Sequence, residues 1–311
     1  MRLALFDPEC GYYTSPRKRV GRDRDTDFFT ATSLGPLFGR LAAAAAVDLA
    51  ARYRWQAGDL TFVEIGAEPS GGVLRGFGHG FREVVEFGVT DAGRLAERLA
   101  ELGKAGPLVV FSNELFDAQP VARFIRRGNV WVEACVVPDG SGGYRWEDGD
   151  PASDWLVQIA PVGAPDGWIL DVPNEARLLA RNLASAPWSG VFLAFDYGMT
   201  WTAISCERPA GTLRSYREHR QHDDLLANPG EQDLTAHICW DWLEESLMSA
   251  GFEQVRTDSQ ESFLVRRAGG ILAEMSIHAG LNPLGPEARV VRELLHPARM
   301  GMKFQVLSGV R

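Results

Sequence analysis

The sequence has no lysine-bearing phosphate loop, no closely spaced cysteine pair and no long apolar run. Without a G-x-x-x-x-G-K-[ST] pattern, an ATP-type phosphate loop is excluded. Cys10, Cys135, Cys206 and Cys239 are the only four cysteines and lie far apart. That spacing speaks against a zinc ribbon or a disulfide framework and fits a reducing, cytoplasmic setting. His219, His222 and His237 lack the tight spacing of a metal site, so no metal is expected. The Ala-rich run at 41–46 is too short to span a bilayer and is soon followed by Asp48 and Arg52. The opening MRLALFDPEC lacks the apolar stretch of a secretory signal. Positive charge is also short: 32 Lys and Arg stand against 41 Asp and Glu, a net charge of −9. This argues against a general nucleic-acid binder. Arg17, Lys18, Arg19, Arg22 and Arg24 form a local basic cluster that reads as a solvated loop.

What the sequence does have is a short apolar run feeding a glycine-rich turn, LTFVEIGAEPSGGVL at 60–74. A buried strand followed by glycines lets backbone N–H groups approach a ligand, because glycine has no Cβ in the way. In open α/β sheets, ligands bind in such crevices at the carboxyl ends of the strands. A helix is expected over 34–56, where Leu37, Leu41 and Ala45 recur at a four-residue step. Strands follow at 60–65, 83–87 and 107–112, with a helix over 91–102 between the last two. This order indicates a parallel sheet with a crossover helix. Arg126-Arg127-Gly128-Asn129 between two apolar runs predicts a hairpin within 121–137. Segments 138–167 and 200–235 read as loops or insertions. Helices over 174–186 and 236–250, and strands at 191–195, 252–257 and 304–307, complete the α/β pattern. Residues 1–57 read as an N-terminal segment and helix covering the site. Residues 58–311 read as a Rossmann-like domain with insertions near 121–167 and 200–235.

Three strand ends carry polar groups in a suggestive order: Glu64 with Gly66, Gly71 and Gly72 after the first, Glu86 at the end of the second, and Asn113-Glu114 after the third. A carboxylate ending the second strand can accept both ribose hydroxyls of an adenosine group. With no phosphate loop, S-adenosylmethionine is one way to use such a site, by analogy of fold.

At SNELFDAQPV (112–121) the sequence resembles the MidA-type methyltransferases, relatives of a mitochondrial arginine methyltransferase that assists assembly of respiratory complex I. Further likenesses lie in GYYTSPRKRVGRDRDTDFFTATSLGPLFGRL (11–41), FDYG (195–198), GTLRSYREHR (211–220), NPGEQDLTAH (228–237) and MGMKFQVL (300–307). They run in the expected order over nearly the whole chain. The resemblance implies a class I S-adenosylmethionine-dependent methyltransferase fold: a seven-stranded, mostly parallel sheet with helices on both faces and inserted loops. It also implies methyl transfer, with a protein arginine as the favoured acceptor. The expected partners are a protein substrate and a second copy of the chain.

There are departures from the family pattern. Glu68 stands where a glycine of the compact G-x-G-x-G turn is expected, and an acid there would oppose the cofactor's carboxylate by ~1 kcal/mol or more if desolvated. Thr32-Ser33, Arg40 and Cys239 also differ from the family's usual residues.

Arginine as acceptor is a demanding choice, because a guanidinium is a cation with a delocalised lone pair. Carboxylates in bidentate contact can bind it. Glu114 is the leading catalytic candidate, with Asp196 and Tyr197 beside it and Asp117, Glu231 and Asp233 as further carboxylates. Cofactor contacts are expected from Glu64, Gly66, Gly71, Gly72, Glu86, Asn113 and Glu114. Two other readings stay open at this point: an assembly factor that kept the fold but lost the chemistry, and a methyltransferase for small molecules.

Overall fold

The computed structural model describes residues 1–15, 31–69, 71–282 and 285–311. The basic cluster at 17–24, and Ser70 of the glycine turn, lie outside the described residues. Helices α1 (Arg2–Phe6) and α2 (Pro36–Ala51) precede the first strand. Proline at the start of α2 and an unbroken Ala-rich body favour that helix, which buries Leu37, Phe38, Leu41, Ala45 and Leu49. Strands β1 (Thr61–Ile65) and β2 (Glu83–Phe87), helix α3 (Leu95–Gly103) and strand β3 (Leu108–Asn113) follow. The hairpin forms as β4 (Ala122–Arg127) and β5 (Val130–Pro138).

Segment 138–167 is not simply a loop. It holds β6 (Tyr144–Pro151) and α4 (Asp154–Ile159). Strand β6 lies at the edge of an antiparallel sheet ordered β6-β5-β4 with β7 (Ile169–Val172). Its charged residues are mostly exposed, so it carries no apolar alternation to reveal it. Arg127 instead holds Asp148 through two hydrogen bonds of 2.8 and 2.9 Å. Beyond α5 (Asn174–Ser185) and β8 (Gly190–Asp196), the stretch 200–235 is likewise structured. After β9 (Gly198–Met199) it contains α6 (Trp201–Glu207) and a small sheet of β10 (Arg214–Arg217), β11 (Arg220–His222) and β12 (Asp233–Thr235). Strand β13 (Ile238–Cys239), helix α7 (Trp240–Ser249), β14 (Glu253–Ser259), helices α8 (Gln260–Arg267), α9 (Gly269–Leu281) and α10 (Pro286–Leu295), and β15 (Gln305–Val310) complete the chain.

Among the described residues the main sheet has six strands in the order β14-β15-β8-β3-β1-β2, against the expected seven. β15 runs antiparallel to both its neighbours, and the other pairings are parallel. The seventh strand is missing at the β2 edge, where the chain between β2 and β3 holds only a 3-10 turn and α3. Alternation along the strands sorts the core into two layers. Phe62, Val109, Phe111, Val191, Leu193 and Phe195 pack under α2, α8 and α9. Val63, Ile65, Val110, Phe192 and Ala194 face α3, α5 and α7.

The connection from β1 to β2 also departs from a βαβ unit, because its described residues hold no helix. Glycines at 71, 72, 76, 78 and 80 deny that segment helical propensity. Val73, Leu74 and Phe81 bury themselves in the layer that a crossover helix would fill. Helix α2 reaches this segment through Gly39, where an added Cβ would lie 1.9 Å from the Val73 carbonyl oxygen. Among the described residues, no helix is long and apolar enough to cross a membrane.

Candidate active site

The parallel register aligns Glu64 with Glu86, Ile65 with Ser112, and Asn113 with Phe195, so four strands end along one edge. A cavity of about 1550 Å³ opens there. Glu64, Gly66, Ala67, Gly71, Val89 and Thr90 line it beside the ends of β1 and β2. Gly66 takes φ +87, and an added Cβ would sit 3.2 Å from Leu115 Cδ1. The amides of Gly66 and Ala67 both donate to the Phe87 carbonyl, at 2.8 and 2.9 Å, which ties the loop to the end of β2.

Gly72 and Glu86 are not on the cavity wall. The Gly72 amide donates to Glu86 Oε1 at 3.1 Å, and the Val73 amide donates to Glu64 Oε2 at 2.7 Å. The two carboxylates therefore grip the loop between them. A Cβ at Gly72 would come within 2.3 Å of Glu64 and 2.5 Å of Glu86. Burial, with Glu86 and Glu68 nearby, pushes the Glu64 carboxyl up to about 7 despite the Val73 amide.

The other half of the cavity is built on the turn after β3. Glu114 has φ +52, a left-handed conformation costly for a side chain with a Cβ. Its amide donates to the Phe195 carbonyl at 2.9 Å, which holds the turn against β8. Asn113 Nδ2 donates to Glu114 Oε1 at 3.0 Å. Asp117 and Asp233 line the same space, and both are buried. Burial, with Asp117 beside it, pushes the Glu114 carboxyl up to about 8. Burial likewise raises Asp117 to about 6, although a hydrogen bond from Tyr197 opposes the shift. The Tyr13 hydroxyl donates to Asp233 Oδ1 at 3.0 Å, bringing the N-terminal segment to the wall.

Asp196 has a different place from the one its sequence position suggests. It is fully buried and does not line the cavity. One carboxylate oxygen accepts from the amides of Phe116 at 2.9 Å and Asp117 at 3.4 Å, and the other accepts from its neighbour Tyr197 at 2.8 Å. Asp196 thus fixes the turn that aims Glu114 and Asp117. Tyr197 lines the cavity and packs edge-on against His237 and Phe304. Glu231 is absent from the wall and pairs with Arg217 at 3.4 Å.

His237, which sequence spacing passes over, is on the wall. Burial and the nearby Arg214 and Arg208 push it down to about 4, so it is neutral at pH 7. Asn113 Oδ1, Asp117 Oδ1 and His237 Nδ1 are buried there without a hydrogen-bond partner among the described residues. Unpaired buried acceptors are costly, and a ligand rich in N–H donors would satisfy them. No spacing rule marks His237 or Tyr13, because the fold brings them in from distant segments. Among the described residues, no group of three or more His, Cys, Asp or Glu could hold a metal ion.

A helix-flanked parallel sheet with an antiparallel β15, and a crevice past the ends of β1, β2, β3 and β8, define the class I methyltransferase architecture. A family model described as "Putative S-adenosyl-L-methionine-dependent methyltransferase" matches residues 84–256, and the chain belongs to that family. A COG1565 superfamily member from Burkholderia thailandensis, solved with S-adenosyl-homocysteine bound, is 25% identical with a TM-score of 0.82, covering 100% of this chain and 86% of that one. A native COG1565 structure from the same organism has a TM-score of 0.77 at 24% identity, covering 100% and 85%. The mitochondrial protein arginine methyltransferase NDUFAF7 of Danio rerio is 30% identical over 217 residues, which is 64% of this chain and 46% of that protein. The chain thus spans about half the length of that curated relative.

The cofactor of the family is S-adenosylmethionine. The cavity residues fit it. Glu64 borders the cleft, Glu86 lies directly behind the loop, and Gly66 and Gly71 line the cleft at positive φ, where a Cβ would press on Leu115 and Arg75 and disturb the loop. Val89 and Thr90 line the cleft just beyond β2.

Proposed function

We propose that this protein transfers a methyl group from S-adenosylmethionine to an arginine side chain of a protein. The observation that carries this reading is the carboxylate group lining one cavity, half-buried Glu114 with buried Asp117 and Asp233, together with the unpaired acceptors Asn113 Oδ1 and Asp117 Oδ1. Three acids gathered around one space, two of them buried, are costly when ionised together. A guanidinium would relieve that cost with charge and with five N–H donors in a fixed fork. The likeness to NDUFAF7 supports the same acceptor.

S-adenosylmethionine supplies an activated methyl group and departs as the neutral thioether S-adenosylhomocysteine. Glu114 and Asp117 hold the guanidinium and draw its positive charge away from the attacking nitrogen. That nitrogen forms one new N–C bond and sheds one proton. Burial favours the protonated form of Glu114, the guanidinium beside it favours the carboxylate, and as the carboxylate it is placed to take the proton that the nitrogen sheds. Tyr197, hydrogen-bonded to Asp117, steadies the second acid.

The test is incubation of the purified chain with isotopically labelled S-adenosylmethionine and a panel of arginine-containing peptides and proteins, with acceptors mapped by mass spectrometry. Label on arginine, lost in Glu114→Gln, is expected. Label confined to another residue or to a small molecule would overturn the reading.

A further inference from the structure

The stretch GTLRSYREHR at 211–220 borders the cavity through β10. Arg214 and Tyr216, two apart and so on one face of that strand, both line the wall. β10 runs antiparallel to β12, with Arg214 opposite Thr235 and Tyr216 opposite Asp233. Thr235 and Asp233 line the cavity too. Arg214 thus stands on the same small sheet as one of the wall acids, but opposite a neutral residue. The chain just ahead of it is anchored from below. Asp171 is buried, and its Oδ2 accepts from the amides of Thr212 at 2.6 Å and Leu213 at 2.8 Å. Arg123 holds the same carboxylate through Nε at 2.8 Å and Nη2 at 3.0 Å. Four donors therefore take up the acid that fixes this strand.

The two arginines of β10 differ in their company. Arg217 pairs with Glu231 at 3.4 Å. The Arg214 guanidinium is half-buried and makes no hydrogen bond or ion pair among the described residues. Its positive charge is felt at His237, where it helps to keep the ring neutral. A guanidinium partly drawn from water, with no acceptor for its five N–H donors, is short of a partner. A carboxylate matches that fork through two parallel bonds. A phosphate dianion would bring twice the charge into a cavity that Glu114, Asp117 and Asp233 already line.

We infer that Arg214 is a carboxylate-binding residue of this cavity. Two molecules that meet here carry the group: S-adenosylmethionine on its amino-acid arm, and a protein acceptor on an Asp, a Glu or its C-terminus. The inference rests on methyl transfer in this cavity and not on arginine as the acceptor.

Calorimetry on the whole chain reads the first source. S-adenosylhomocysteine should bind Arg214→Gln roughly tenfold or more weaker than the unaltered protein, with Arg214→Lys between them, since lysine keeps the charge and gives up the fork. Decarboxylated S-adenosylhomocysteine should bind Arg214→Gln and the unaltered protein equally. The melting temperature of Arg214→Gln should not drop, because the guanidinium holds nothing in the free protein. If S-adenosylhomocysteine binds Arg214→Gln as before, the second source is read with two fluorescent peptides that differ by Asp or Asn beside an arginine. A several-fold preference for Asp, lost in Arg214→Gln, then assigns the carboxylate to the acceptor. Equal loss for the ligands with and without a carboxylate would make Arg214 a structural residue and overturn the inference. No change in either arm would overturn it as well. Methylation of arginine peptides by the unaltered protein is scored separately, so failure of the arginine reading shows there and not in the calorimetry.

Discussion

The two halves of the cavity are made in opposite ways. Beside β1 and β2 the wall is a loop shaped by its backbone: Gly66 and Gly71 at positive φ, with the Gly72 and Val73 amides behind them caught by Glu86 and Glu64. Under β3 and β8 it is side chain, with acids buried deeper than their charge favours and a non-glycine residue held at φ +52. The first half lies at the end of a segment without a helix and depends on small residues. The second depends on Asp196, which takes up the amides of Phe116 and Asp117 from below. A surface that accepts one fixed cofactor can be shaped by omission, whereas holding a cation requires charges that the fold itself must tolerate.

Substitutions can separate the halves. The largest effect is expected from Glu114→Gln, which should cut methyl transfer by roughly a hundredfold or more while S-adenosylhomocysteine still binds by calorimetry. The same variant should change the pH dependence of stability. Between its ordinary 4.5 and about 8, Glu114 holds its proton in the fold and loses it in the unfolded chain. The folded state then binds more protons, so stability falls as pH rises through that window. Thermal melting from pH 5 to pH 9 should fall less steeply in Glu114→Gln than in the unaltered protein.

Next in size, Gly72→Ala places a Cβ against both Glu64 and Glu86, and should weaken S-adenosylhomocysteine by roughly tenfold or more. Acceptor-peptide binding without cofactor should be unchanged. Loss of both would mean the halves are not separable. Asp196→Asn should lower kcat with little change in cofactor affinity and cost about 1–3 kcal/mol of stability in denaturant unfolding, because an amide presents a donor where the carboxylate accepts. The smallest effect is expected from Glu68→Gly. Removing an acid from the cofactor wall should tighten S-adenosylmethionine by a few-fold, with a smaller gain at high salt. No gain would mean that Glu68 does not oppose the cofactor.

The legible part of the sequence is the part written in local patterns. β2 forms over the expected residues, and the turn at Gly128-Asn129 joins β4 to β5 as a hairpin. Apolar runs mark β1, β3 and β8, because strands buried on both faces need no alternation. The six-strand count was not legible, since nothing in 89–103 says that β2 will be an edge. Nor was β6, whose mostly exposed charges hide its pairing with β5. At the cavity, Glu64, Gly66, Gly71, Asn113, Glu114 and Tyr197 are where strand ends suggest. Asp196 is one step away in chain from Tyr197 yet points into protein rather than cavity, a distinction set by the strand's pleat. His237 and Tyr13 arrive through the packing of β12 and the N-terminal segment, which no spacing encodes.

The helix-free link between β1 and β2 has a consequence for the order of folding. Asp196 must find Gln305 to pair β8 with β15, whereas β1 and β2 are joined by residues 66–82 alone. Low sequence separation favours early contact. The link brings its own apolar cover, with the Phe81 ring tilted against Phe62 at 5.1 Å between centroids, so this pair need not wait for a distant helix to shield it. The edge of the sheet that carries the cofactor loop is therefore expected to be its nucleus, with high φ-values at Phe62, Phe81 and Val84 and low ones along β14 and β15.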